Sequence, residues 1–268
     1  MIKKLTTRDI KKSKARNGHN LQMLTAYDYQ TATLLNETDL DLILVGDSLG
    51  NVILGYETTV EVTMQDMITF SAAVKRGATD KFVVADLPFA SYTTAEQALK
   101  NSTELFQKAR VEAVKLEGAS STKYEIIKQL TENGMAVMGH LGLTPQSVHE
   151  QGGYYTHGKT PESHSLILEQ AIELEKAGCF AIVLECVTPE LASIITQKLQ
   201  IPTIGIGSGM NTDGQVLVIN DLLKLGPFMP PSFCKPVSDL YTVKKDLVSN
   251  YLHSIRYQQE ASHAKIPQ

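Results

Sequence analysis

Short aliphatic runs alternate with longer amphipathic stretches along most of the chain, the pattern of consecutive βα units around a parallel sheet. Seven runs stand out: Leu21–Thr25, Leu42–Asp47, Phe82–Asp86, Ala113–Glu117, Ala136–His140, Ala181–Glu185 and Pro202–Gly207. Leu42-Ile43-Leu44-Val45 and Ala181-Ile182-Val183-Leu184 are unbroken apolar stretches, as strands covered on both faces should be. An eighth strand is expected in Leu225–Phe233, kept short and irregular by Pro227, Pro230 and Pro231. Thr63 should cap a helix over Met64–Lys75 and Thr94 one over Ala95–Ala109, while Pro189 suits the first turn of Pro189–Leu199. Gly77, Gly134 and Gly178 each follow a helical stretch, where a left-handed cap is expected. Thr6–Arg16 predicts a leading helix and Val243–Ala264 a trailing one.

With 268 residues, 43% of them hydrophobic, the chain can bury one large core. Complete eightfold barrels have roughly 250 residues. The expected fold is therefore α/β, a (β/α)8 TIM barrel in one domain over residues 1–268, with an extra N-terminal helix within 1–20 and a C-terminal helical extension over 240–268. The net charge of −4 comes from 25 basic and 29 acidic residues spread along the chain, which gives no electrostatic footprint for nucleic acid. Cys179, Cys186 and Cys234 are too few and scattered for a disulfide framework, and Cys186 reads as a packing residue rather than a nucleophile. Met1 to His19 is basic without an apolar stretch, and no run approaches the roughly 20 apolar residues that span a bilayer. A soluble cytoplasmic protein with small-molecule partners is the expectation, with no nucleic acid and no membrane.

Five of the seven runs finish on a carboxylate or an imidazole: Asp47, Asp86, Glu117, His140 and Glu185. Barrel enzymes build their sites at that rim. Side chains two apart on a strand share a face, so Lys115 should join Glu117 in the lumen. Acids from three strands facing one another repel unless a cation intervenes, and the hard oxygens of Asp47, Asp86 and Glu117 favour magnesium over zinc. His140 is placed to hydrogen-bond near a reacting oxygen, or to pack. The glycine-flanked stretch Gly139 to Ser147 suits either backbone approach to a ligand or a tight turn. Ile204 to Gly209 lacks the full dinucleotide fingerprint, and close packing of the seventh strand explains it equally well. The long stretch around Gly152, Gly153, Tyr154 and Tyr155 is of a size often used as a lid.

Taken together, Thr25-Ala26-Tyr27-Asp28-Tyr29, Leu44-Val45-Gly46-Asp47-Ser48-Leu49-Gly50, Ala85-Asp86-Leu87-Pro88-Phe89, Val114-Lys115-Leu116-Glu117-Gly118, Gly139-His140-Leu141-Gly142-Leu143-Thr144-Pro145-Gln146, Leu184-Glu185-Cys186-Val187 and Ile204-Gly205-Ile206-Gly207 resemble the ketopantoate (3-methyl-2-oxobutanoate) hydroxymethyltransferase family over nearly the whole chain. The resemblance implies a barrel of the phosphoenolpyruvate and pyruvate superfamily. It implies transfer of a hydroxymethyl group from 5,10-methylenetetrahydrofolate to 3-methyl-2-oxobutanoate, giving 2-dehydropantoate for pantothenate and coenzyme A biosynthesis through a magnesium-stabilised enolate. It also implies Mg2+ at Asp47, Asp86 and Glu117, substrate contacts from Asp47, Ser48, Asp86 and Lys115, Glu185 as proton acceptor, and a homo-oligomer, commonly a decamer. Departures are Ala109-Arg110-Val111 where Ala-Gly-Ala is expected, Gly158-Lys159 where an arginine is common, and a divergent Pro230–Pro236 stretch. A carbon–carbon lyase of the same superfamily would typically carry a catalytic cysteine in a basic, glycine-containing motif, and the chain shows none.

Overall fold

The computed structural model describes residues 4–14 and 20–263, so residues 15–16 of the expected leading helix and 264 of the trailing one lie outside the described residues. The chain divides into two compact units, residues 1–218 and 219–268. In the first unit, eight strands close into a barrel in chain order, every neighbour parallel and the last paired with the first. They are β1 (Leu21–Thr25), β2 (Leu42–Val45), β3 (Phe82–Asp86), β4 (Ala113–Glu117), β5 (Val137–Gly142), β6 (Ala181–Glu185), β7 (Thr203–Ile206) and β8 (Gly214–Leu217). Helix α1 (Thr7–Ser13) precedes the barrel. Between the strands run α2 (Tyr29–Asn36), α3 (Met64–Gly77), α4 (Ala95–Glu104), α5 (Ser121–Glu132), the short α6 (Val148–Gln151), α7 (Pro161–Ala177) and α8 (Pro189–Lys198).

The helix starts follow from their caps. Thr63 and Asp66 form a reciprocal capping box on α3, the Thr94 hydroxyl accepts from Gln97 N, and Pro189 opens α8. The expected helix ending at Ala109 becomes α4 followed by a wider π-type turn, Leu105–Ala109. Gly134 and Gly178 have φ of 83° and 115°, as a left-handed cap requires. Gly77 corrects the expectation, because it is the last residue of α3 itself. A Cβ there would stand 2.5 Å from the Tyr29 carbonyl oxygen and 2.9 Å from Ala32 Cβ, so glycine permits α2 and α3 to touch.

The eighth strand is also a correction. Gly214–Leu217 closes the barrel, whereas the stretch expected to do so belongs to the second unit and carries no strand. Pro227, Pro230 and Pro231 withhold the N–H groups that a barrel strand must donate. The described residues 207–213 carry no helix, so β7 passes to β8 without the amphipathic stretch that marks every other unit. Gly214 lets β8 lie against β1, since a Cβ there would sit 2.5 Å from the Leu21 carbonyl oxygen.

Inside the barrel, Leu21 and Met23, Leu42 and Leu44, Phe82 and Val84, Ala113, Met138, Ala181 and Val183, Ile204 and Val216 form one buried cluster. They alternate along their strands, as lumen positions must. Ile10 of α1 joins the same cluster with Leu5 packed against it, so α1 covers the amino ends of the strands. Burying a side chain of that size stabilises the fold by about 1.5–3 kcal/mol.

The second unit holds α9 (Ile219–Leu222) and α10 (Leu240–His263). Val237 N and Leu240 N donate to the Leu222 and Leu223 carbonyls, and Lys224 pairs with Asp239 at 2.5 Å. Among the described residues no helix is long and apolar enough to cross a membrane.

Candidate active site

Extending the alternating lumen positions by one more step toward the carboxyl ends of the strands changes their chemistry. After Phe82 and Val84 comes Asp86, after Ala113 come Lys115 and Glu117, after Met138 comes His140, and after Ala181 and Val183 comes Glu185. The parallel register sets Asp86 beside Lys115 and Glu117 beside His140. Asp47 lies just past β2, its N–H donating to Asp86 Oδ2 at 3.1 Å. Asp47, Asp86, Lys115, Glu117 and His140 are all buried, and the Glu185 side chain keeps 18% exposure.

These groups are wired together. Lys115 Nζ is 3.0 Å from Asp86 Oδ1 and 3.4 Å from His140 Nδ1. The imidazole lies between two acids, with Nδ1 3.5 Å from Glu117 Oε1 and Nε2 3.2 Å from Glu185 Oε2. The Ser48 hydroxyl shares a 2.8 Å hydrogen bond with the Tyr27 hydroxyl and lies near Asp86, since a Cβ on Gly46 would stand 2.9 Å from Ser48 Oγ and 3.5 Å from Asp86 Oδ2. Sequence reasoning missed two members of the network. Gln146 donates from Nε2 to Asp47 Oδ2 (2.8 Å) and the Leu87 carbonyl (2.9 Å), and from its backbone N to Glu117 Oε2 (3.0 Å). Tyr92 donates to Gln146 Oε1 at 2.6 Å and accepts from Glu117 N at 3.2 Å. Gln146 had a signal in its glycine-flanked stretch; Tyr92 had none.

The charges explain how the groups titrate. Burial, then the charges of Asp86 and Glu117, push the Asp47 carboxyl well above its ordinary value. Burial also raises Asp86, tempered by Lys115. For Glu117 burial acts upward, but His140, Lys115 and the Gln146 N–H outweigh it and hold the carboxyl low. Burial and Lys115 pull His140 down, yet Glu117 and Glu185 prevail and lift it to about 9. Lys115 is held above its usual range, since Asp86, Glu117 and Asp47 outweigh its burial.

Backbone features aim Glu185. The residue after it, Cys186, has φ 49°, a left-handed turn at the strand end. The Ser208 hydroxyl fixes that turn by donating to the Leu184 carbonyl at 2.8 Å and accepting from Val187 N at 3.0 Å. Gly142, at φ 92°, passes so close that any Cβ would collide with the Glu185 carbonyl oxygen. Burial and Glu185 push the Cys186 thiol up to about 11, which suits packing and not nucleophilic attack. The glycines in and after β7 serve packing: a Cβ on Gly205 would lie 2.7 Å from Thr212 Oγ1, and one on Gly209 2.8 Å from Pro189 Cβ. A cavity of about 350 Å³ opens beside the network, lined by residues that include Phe89, Tyr92, Glu117, Lys123 and Gln146.

The donors suited to a hard divalent ion are the Asp47, Asp86 and Glu117 oxygens, those of Glu117 already facing His140 and the Gln146 N–H. Asp86 Oδ1 is buried and accepts no hydrogen bond, its approach to Lys115 being an ion pair alone. Among the described residues no three carboxylate, imidazole or thiol groups already surround a point at metal-ligand spacing. Water and substrate oxygens would therefore complete the shell, as magnesium sites commonly require.

A family model described as Ketopantoate hydroxymethyltransferase matches residues 4–260. The chain is 46% identical over 250 residues to the 3-methyl-2-oxobutanoate hydroxymethyltransferase of Pseudothermotoga lettingae, covering 92% of this chain and 94% of that protein. It is 47% identical over 255 residues to the enzyme of that name from Syntrophus aciditrophicus, covering 95% and 93%. Among solved structures, phosphoenolpyruvate phosphomutase from Streptomyces platensis superposes with a TM-score of 0.63 at 12% identity, covering 98% of this chain and 92% of the other. A phosphonopyruvate hydrolase solved with oxalate and Mg++ gives 0.62 at 10% identity over the same shares. At such identities these two structures speak for the fold alone.

Proposed function

The chain belongs to the ketopantoate hydroxymethyltransferase family, and from that premise we propose that it transfers a hydroxymethyl group from 5,10-methylenetetrahydrofolate to 3-methyl-2-oxobutanoate, giving 2-dehydropantoate for pantothenate and coenzyme A biosynthesis. The observation that carries this reading is the charge balance of the rim. Asp47, Asp86, Glu117 and Glu185 crowd around Lys115 and His140, with Lys123 beyond Glu117, and burial and the neighbouring acids raise the Asp47 and Asp86 carboxyls. A divalent cation beside those two aspartates would relieve that strain.

Asp47 and Asp86 would hold Mg2+, with Glu117 beside them, its oxygens facing His140 and the Gln146 N–H. When bound, the ion supplies Lewis-acid polarisation of the substrate's keto oxygen. The chain's own residues do the rest. Lys115 and the backbone at Ser48 pair with the substrate carboxylate. Gln146 and Tyr92 keep the Asp47 carboxylate oriented from behind. Glu185, the most exposed of the rim acids, removes the proton from C3. His140 holds Glu185 in place and, being cationic below about pH 9, offsets the Glu117 charge while the proton moves. C3, having lost its proton, bonds to the one-carbon unit of the folate; the carbon–nitrogen bonds to the folate break, water supplies the hydroxyl oxygen, and tetrahydrofolate leaves.

The test is a single incubation of purified protein with 3-methyl-2-oxobutanoate, methylenetetrahydrofolate and magnesium. Mass spectrometry should find 2-dehydropantoate, dependent on all three additions. A protein that consumes neither substrate under those conditions would refute the assignment.

A further inference from the structure

At the other end of the barrel, where β3 and β4 begin, lies a second cavity, of about 640 Å³. Its wall carries Lys4, Lys75, Arg76, Lys108 and Arg110 against a single acid, Glu112. Five cations and one carboxylate line it, and with Glu104 beside Lys108 the excess is three positive charges. Glu112 cannot answer them, because Oε2 accepts from Val83 N at 2.9 Å while Oε1 is shared by Lys4 and by Lys75, the latter at 2.7 Å. Lys108 reaches Glu104 at 3.2 Å, a weak pairing at an exposed place. Among the described residues Arg76 and Arg110 form no ion pair.

Helix carboxyl ends attract cations, and α3 and the Leu105–Ala109 turn both finish here. That accounts for lysines but not for Arg110. Its backbone is left-handed, φ 62° and ψ 34°, a conformation that strains any residue with a Cβ and that glycine adopts freely. A strained position holding an arginine at the lip of a cationic cavity points to use of the guanidinium.

We infer that this cavity binds a compact polyanion, a small molecule bearing a phosphate or pyrophosphate group, at a site separate from the reaction rim. Two unpaired guanidinium forks suit phosphate oxygens in bidentate fashion, and Lys75 and Lys4 supply point charges behind them. Burial, with Lys4 adding to it, presses the Lys75 ammonium down to about 8, so a bound anion would relieve an unfavourable charge.

Inorganic pyrophosphate is the probe, titrated calorimetrically into the full chain with 3-methyl-2-oxobutanoate at saturation. Saturable binding is expected, undisturbed by the keto acid and weakened about 10-fold or more in Arg76→Gln and in Arg110→Gly. Melting curves for both variants should be no lower than the parent's, which separates lost binding from lost folding. The site is overturned if no saturable binding occurs, or if both variants bind as tightly as the parent. Competition by the keto acid would also overturn it, since the probe would then sit at the rim.

Discussion

Asp86 at the carboxyl end of β3 and Glu112 just before β4 each face a lysine, at 3.0 Å and 2.7 Å. At the rim it is the charged form of two acids that is disfavoured: Asp47 and Asp86 are raised. At the base it is the lysine, for Lys75 falls to about 8. Burial acts in both places, and the local majority of charge decides which partner is strained. Acids outnumber cations at the rim, so Lys115 is firmly charged; cations outnumber acids at the base, so Lys75 is not. The rim carries an excess of acids and the base an excess of cations, which is why each end reads as a binding place for ions of opposite sign.

Breaking the rim should have the largest consequence. Glu185→Gln removes the acceptor for the C3 proton while keeping the shape, so magnesium-dependent deuterium uptake at C3 of 3-methyl-2-oxobutanoate should fall by about 10²–10⁴. Calorimetry should find keto-acid binding largely intact. Unchanged exchange would remove Glu185 from that role.

Next comes the network behind the acids. Gln146→Leu withdraws the donor to Asp47 Oδ2 and the acceptor for the Tyr92 hydroxyl. Each orphaned group costs about 1–3 kcal/mol, so denaturant unfolding should show a loss of at least that order. Stability equal to the parent's would mean that water satisfies those groups, and that the rim is less dry than its burial implies.

The base should respond in the opposite direction. Arg110→Gly relieves a left-handed backbone and should raise stability by roughly 1 kcal/mol. A lower melting temperature would show that the guanidinium stabilises the fold by more than the turn costs.

The smallest effect is one of pH. Lys75 titrates near 8 in the fold against its ordinary 10.5, so between those values the unfolded chain binds more protons. Its contribution to stability therefore rises with pH from about 8 to about 10.5 and is unfavourable below that window. Unfolding curves for the parent and Lys75→Met should converge or cross across the window; a constant difference would contradict the depressed pKa.

Much of this was legible from residue order. Alternation along Phe82–Asp86 and Ala113–Glu117 sufficed to send Asp86, Lys115 and Glu117 to one face at one end, because strand parity is a local rule. Thr63, Thr94 and Pro189 announced their helices for an equally local reason. Gly214–Leu217 escaped notice because it is short and follows β7 without a helix, so no periodicity marks it. Gly77 was misread because its crowding comes from α2, more than forty positions earlier in the chain.

What residue order determined, then, is which groups can point into the lumen and at which end, since that depends only on backbone parity and the direction of parallel strands. Only the closed barrel decided which of them meet. Gln146 reaching Asp47, Tyr92 reaching Gln146, and Lys4, Lys75 and Glu112 converging below are contacts across sequence separations of 99, 54, 108 and 37 residues. Their geometry is set by register and packing between strands and helices, and neither is written in any short stretch of chain.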